Sequence, residues 1–142
     1  MYLDTDITMA LIGLDDFLLE KLEPDMFENS KTSVITIFEI HDILKEMDTD
    51  LNIHNIYRMI KEKNIELLPL TPEILEISFK LLDKYNDLIL FDSKHAIHAA
   101  YCVDLEETIL STDSLFKKIG EIKFKNPKKY ENPDDFFLMC EE

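Results

Sequence analysis

The residues best suited to chemistry lie in two stretches, Phe91-Asp92-Ser93-Lys94-His95-Ala96-Ile97-His98-Ala99-Ala100 and Thr108-Ile109-Leu110-Ser111-Thr112-Asp113. Asp92, His95 and His98 recur at intervals of three, so on a helix they share one face. The apolar run from Thr108 reads as a buried strand that delivers Asp113 at its carboxyl end. Two further acids follow strand-like runs, Asp4 after Met1-Tyr2-Leu3 and Glu39 after Thr32 to Ile37. If Asp4, Glu39, Asp92 and Asp113 converge, they repel one another unless a cation neutralises them or some take up protons. Mg2+ or Mn2+, which prefer carboxylate and water, suit such a set. An ion of that kind makes a nucleophile of water and stabilises charge on a phosphodiester. A zinc triad of Asp92, His95 and His98 is weaker, because three successive turns of one helix rarely meet around a tetrahedral ion. His98 reads instead as a hydrogen-bonded, semi-buried histidine beside Ala99.

These residues need a scaffold that gathers strand ends. Met1 to Asp4 reads as a short strand whose Asp4-Thr5-Asp6 caps the next helix. Ile7, Leu11, Leu14, Leu18 and Leu22 predict one helix over 7–22. Thr32 to Ile37 is β-branched and predicts a strand, with Glu39 in the first turn of a helix ending near Met47. A helix over 53–63 and a strand over 65–70 follow. Thr71-Pro72 then marks a helix start, threonine as N-cap and proline at the first helical position, running to about Tyr85. After the 92–113 region come a short helix over 114–120 and a strand over 121–124. Strands alternating with helices predict a single α/β domain over 1–142, a three-layer α/β/α sandwich with a mainly parallel central sheet. In such sheets ligands sit beyond the carboxyl ends of the strands, where these acids fall.

Composition narrows the classes. The chain has 142 residues, 46% hydrophobic, which is long and apolar enough for a real core. With two glycines, Gly13 and Gly120, it can form neither a P-loop nor a GxGxxG loop. Cys102 and Cys140 form no CxxC pair, which argues against a disulfide framework or zinc ribbon and fits a reducing cytoplasm. No apolar run reaches the roughly 18 residues of a membrane span. The net charge of −15 falls on residues 1–116. Residues 117–142 are neutral, their lysines Lys117, Lys118, Lys123, Lys125, Lys128 and Lys129 balancing six acids. An acidic face beside a lysine strip suits a basic partner or a metal-bearing site. Taken singly, each acid also has a plain structural reading, as a helix cap for Asp4, Asp92 and Asp113 or a helix-dipole contact for Glu39.

Read together, these pieces resemble the PIN-domain ribonucleases, nearest in size to the VapC-like toxin of VapBC toxin–antitoxin pairs. The carrying residues are Tyr2-Leu3-Asp4-Thr5, Thr36-Ile37-Phe38-Glu39, His98-Ala99-Ala100 and Ser111-Thr112-Asp113-Ser114-Leu115-Phe116, with Asn132-Pro133 near the end. The resemblance implies a metal-dependent endoribonuclease acting on single-stranded or loop RNA, with Asp4, Glu39, Asp92 and Asp113 holding Mg2+ or Mn2+ and orienting water. It further implies an antitoxin partner with a basic segment and a homodimer; Thr5, Asp6, Thr112, Lys117 and Lys118 are candidate substrate contacts, the lysine strip reading also as solvated surface with no interleaved arginine. One position departs: the family's third acid falls at 95, where this chain has histidine. Asp92 stands one turn earlier, about 4.5 Å along the helix axis. Either Asp92 serves from a shifted helix start, or His95 ligates and favours Mn2+, or the site has lost activity. The last case would leave a degenerate PIN domain that binds protein or RNA without cutting. His41-Asp42 resembles the HD phosphohydrolase pair, but no histidine precedes it to complete that site. A receiver domain would need an acid ending its central strand, whereas 65–70 ends Pro69-Leu70.

Overall fold

The computed structural model describes residues 1–24 and 27–129. Five strands form one sheet in the order β3-β2-β1-β4-β5, every pair parallel: β1 Tyr2–Leu3, β2 Lys31–Ser33, β3 Glu66–Leu68, β4 Thr108–Leu110 and β5 Lys123–Lys125. In the two central strands Tyr2 pairs with Ile109 and Leu3 with Leu110. Because successive side chains point to opposite faces, this register sends Tyr2 and Ile109 one way and Leu3 and Leu110 the other. Tyr2 and Ile109 join a core with the helices α5 Pro72–Lys84 and α6 Ser93–Leu105, packed there through Ile74, Leu81, Ala96, Ala99 and Ala100. Leu3 and Leu110 join a second core with α1 Thr5–Leu11, α3 Val34–Glu46 and α4 Ile53–Glu62, through Ile7, Ile40, Ile56 and Ile60. Both faces are covered, so central strands apolar at every position are what the fold requires. The result is the expected three-layer sandwich, its sheet wholly parallel.

Local boundaries differ in two places that matter. The helix expected over 7–22 is two, α1 and α2 Asp16–Glu20, parted at Gly13. Gly13 has φ 90° with nothing near the place a Cβ would take, a conformation glycine adopts without strain. Asp15 restarts the chain as N-cap, accepting from Leu18 N–H at 3.0 Å. The strand expected over 32–37 stops at Ser33, and Val34 to Ile37 begin α3. β2 pairs with β1 through Lys31 and with β3 through Lys31 to Ser33, so past Ser33 the residues have no ladder to join. There tertiary placement overrides β-branched preference. Thr36, Ile37, Ile40 and Leu44 then form the buried stripe of α3, and Glu39 sits in its second turn rather than its first. The strand over 65–70 is shorter, Glu66–Leu68, and Thr71 caps α5 with Pro72 at its start. Ser114–Lys118 is a 3-10 turn, and β5 begins at Lys123 rather than 121. No helix is long and apolar enough to cross a membrane among the described residues. Asn132-Pro133 and Cys140 lie outside them.

Candidate active site

The carboxyl ends of β1 and β4 open onto a pocket of about 300 Å³. Asp4, Asp6, Glu39, Asp92 and Asp113 all line it, with His95, His98, Lys94 and Thr5. All four expected acids are therefore brought to one place. Asp4 caps α1 by accepting from Thr5 N–H at 2.8 Å, while Ser111 Oγ donates to its other oxygen at 2.6 Å. That same Ser111 Oγ accepts from Asp113 N–H at 2.9 Å, so one hydroxyl joins the two strand-end acids. Asp113 in turn accepts from Leu115 N–H at 3.0 Å, capping the 3-10 turn.

The two histidines, one turn apart on α6, divide the acids between them. His95 spans Asp92 Oδ1 through Nδ1 and Asp113 Oδ2 through Nε2, each at 2.8 Å. Asp92 is also the N-cap of α6, accepting from His95 N–H at 3.0 Å. The Asp92 N–H reaches His95 Nδ1 only at 3.4 Å. One ring nitrogen cannot accept that hydrogen and also donate to a carboxylate, and the shorter contact is the one with hydrogen-bond geometry. Burial works against the charge of Asp92, but the His95 N–H and imidazole hold its carboxyl below the usual aspartate range.

His98 forms the floor and is fully buried, at 2% exposure, beyond the semi-buried place expected for it. Its Nε2 meets Glu39 Oε1 at 2.5 Å and stands 3.6 Å from Asp4 Oδ1. Its Nδ1 meets the buried Tyr2 hydroxyl at 2.6 Å, and Tyr2 Oη donates to Ser33 Oγ at 2.9 Å. With that hydrogen given to Ser33, the Tyr2 oxygen accepts from Nδ1–H, and a carboxylate at 2.5 Å requires a second N–H at Nε2. Burial pushes His98 down, but the Glu39 hydrogen bond and the charges of Asp4, Glu39 and Asp6 carry it above the ordinary histidine value. Tyr2 is driven well upward, first by its burial, and stays a neutral hydroxyl.

Among the expected substrate contacts, Thr5 lines the pocket. Asp6 and Thr112 bond each other: the Thr112 N–H donates to Asp6 Oδ2 at 3.0 Å and its hydroxyl donates to the same oxygen. Burial and neighbouring Asp4 raise the Asp6 carboxyl, against those hydrogen bonds. Lys117 and Lys118 belong to the 3-10 turn and are not among the residues lining the pocket. Lys94, not foreseen, supplies a cation there; Ser33 went unsignalled, and Tyr2 and Ser111, though part of the motifs, were given no role in the site. A serine two before Asp113 was in view; its bond to Asp4, 107 residues away, was not.

A metal ion needs several donors within reach of one point. Among the described residues no three His, Cys, Asp or Glu side chains are grouped to hold one. What the pocket offers is the carboxylates of Asp4, Glu39 and Asp113, with Ser111 bonding the Asp4 carboxylate and the Asp113 backbone. That fits a hard cation held by one or two carboxylates and water, the usual manner for Mg2+, and not an all-protein cage.

A three-layer domain with an all-parallel five-stranded sheet and an acidic pocket at its carboxyl end has the PIN fold. The chain belongs to the PIN domain family, whose model matches residues 1–122. Among solved structures it is similar to that of VapBC2 from Rickettsia felis bound to a DNA fragment from their promoter, at 14% identity and TM-score 0.67 over 88% of this chain and 96% of the other. It is also similar to FitAcB from Neisseria gonorrhoeae, at 16% identity and TM-score 0.60 over 89% of this chain and 96% of the other. At these identities the likeness is one of fold. No curated protein matches the sequence.

Proposed function

We propose that this PIN domain is a metal-dependent endoribonuclease for single-stranded or loop RNA, the toxin of a toxin–antitoxin pair. The observation that carries the reading is that Asp4, Glu39 and Asp113 line one pocket, with Ser111 Oγ bonding the Asp4 carboxylate and the backbone N–H of Asp113. Asp4 and Asp113 would hold Mg2+ or Mn2+. Bound there, the ion supplies charge stabilisation at the phosphodiester and lowers the pKa of a water. Glu39, with Oε1 taken by His98, keeps Oε2 to accept a hydrogen from the attacking water. His95 Nε2–H steadies Asp113, and Lys94 on the rim offers a positive charge to the RNA backbone. Asp92 faces His95 Nδ1 and acts through it.

The toxin part rests on likeness to VapBC2 and FitAcB. An antitoxin with a basic segment would meet five carboxylates in this pocket, on a chain of net charge −15. A homodimer belongs to the same reading. The test is cleavage of a single-stranded RNA panel with Mg2+ or Mn2+, wild type against Asp4→Asn. Cleavage lost in the variant supports the site, and cleavage that survives it refutes the assignment. A second reading, a PIN domain that binds without cutting, is favoured by His95 tying Asp113 to Asp92 where the family has an acid. Saturable Mn2+ binding by the wild type sinks this second reading, and its absence sinks the first.

A further inference from the structure

We infer that Tyr2 is a positioning residue of the pocket: its hydroxyl, seated on Ser33, fixes the ring of His98 so that Nε2 aims at Glu39. This rests on the nuclease reading for its meaning, though not for its geometry. Three layers of the fold meet in the chain of contacts. Tyr2 comes from β1, Ser33 from the end of β2, His98 from α6 and Glu39 from α3. The links are 2.9 Å from Tyr2 Oη to Ser33 Oγ, 2.6 Å from Tyr2 Oη to His98 Nδ1, and 2.5 Å from His98 Nε2 to Glu39.

Three observations set this chain apart from ordinary core packing. Tyr2, Ser33 and His98 are all at 2% exposure or less, so water cannot replace a lost partner. Ser33 occupies the N-cap of α3 without making a side-chain cap bond, so its hydroxyl is free to serve Tyr2. Tyr2 is further held by stacking on Tyr101, ring centroids 5.5 Å apart, so its hydroxyl has one place to be. A ring pinned on one nitrogen presents the other in a set direction. A partner behind a functional group commonly changes activity ten- to a hundredfold when removed.

The experiment uses the full chain and two readouts. The first is the ring N–H signals of His98 by NMR of 15N-histidine-labelled protein without RNA or metal, assigned with His98→Gln. The second is RNA cleavage with Mn2+, separated into kcat and KM. Wild type is expected to give slowly exchanging signals from both ring nitrogens. Tyr2→Phe, which keeps the stack, should lose the Nδ1 signal and lower kcat about tenfold with KM unchanged. Ser33→Ala should lower kcat less, since the Tyr2 oxygen can still accept from Nδ1–H though its own hydrogen has lost its seat, and Ser33→Thr should restore it. Ring signals unchanged in Tyr2→Phe, or a raised KM with kcat at the wild-type value, overturns the inference. Failure of the nuclease reading looks different: Asp4→Asn cuts as fast as wild type, or nothing is cut at all. The ring signals then decide the positioning role alone.

Discussion

At the amino-terminal end of the sheet Glu107 meets two cations, the Lys31 ammonium at 2.6 Å and the Met1 amine at 3.1 Å. At the carboxyl end five carboxylates share two imidazoles and one lysine. Both ends join β1 to its neighbours with polar groups, yet only the carboxyl end crowds like charges together. The amino-terminal cluster ties down the starts of β1 and β2 and the turn before β4, and is complete as it stands. The carboxyl pocket is held in shape by Ser111, His95 and His98 and still carries excess acid. Such an excess suits a cation or a basic partner, whereas the pairs at the other end satisfy one another.

The sharpest way to break this contrast is Asp4→Asn. Asparagine can still cap α1, so the fold should persist while RNA cleavage in Mn2+ falls at least about a hundredfold, a few kcal/mol of lost transition-state stabilisation. Unfolding of the variant, followed by circular dichroism in urea, should track wild type closely. Next in size is His98→Ala, which empties a buried site, strips Glu39 of its partner there and leaves the Tyr2 hydroxyl with Ser33 alone. It should cost about 3 kcal/mol of stability, measured by the same urea titration.

Smaller, and opposite in sign for the two properties it touches, is His95→Asp. Restoring an acid between Asp92 and Asp113 should raise Mn2+ affinity about tenfold by calorimetry and lower the melting temperature of the metal-free protein. Removing the ion with EDTA should then destabilise this variant more than wild type, because a ligand for the folded state stabilises by mass action. The least effect belongs to the other end. The hydrogen bond from Lys31 leads in holding the Glu107 carboxyl below the usual glutamate range, with the Met1 amine adding to it against burial. A carboxyl depressed on folding contributes stability above its unfolded pKa and loses it as pH falls through the folded value. Glu107→Gln should therefore cost about 0.5 kcal/mol at neutral pH, as part-exposed pairs do, and nothing once the pH is below that folded value. A variant penalty that stayed constant into acid would mean Glu107 acts by packing rather than charge.

Much of the frame was readable along the chain. The Thr71-Pro72 start of α5, the buried run into Asp113 and the alternation of strands with helices are local signals, and local physics produces them. Glu39 was placed one turn astray because Val34 to Ile37 favour a strand by propensity, and nothing local reveals that the ladder ends at Ser33. The lysines at 117 and 118, expected as substrate contacts, belong to the 3-10 turn and are not among the residues that line the pocket. Tyr2, Ser33 and Ser111 were given no place in the site because each acquires its role from a partner across the fold, Tyr2 from His98 at 96 residues' distance.

What the sequence by itself determined was the inventory and its rough order: acids after strands, and Asp92, His95 and His98 on one helical face. What only the tertiary structure decided was how that face divides. The three-residue spacing treats the two histidines as equals. The sheet does not, since it covers one turn of α6 and leaves the turn before it at the pocket rim. His98, at 2% side-chain exposure, turns inward between Tyr2 and Glu39; His95, at 21%, reaches across the rim from Asp92 to Asp113. Periodicity puts residues on a face, and only the packing of that face says which of them water can reach.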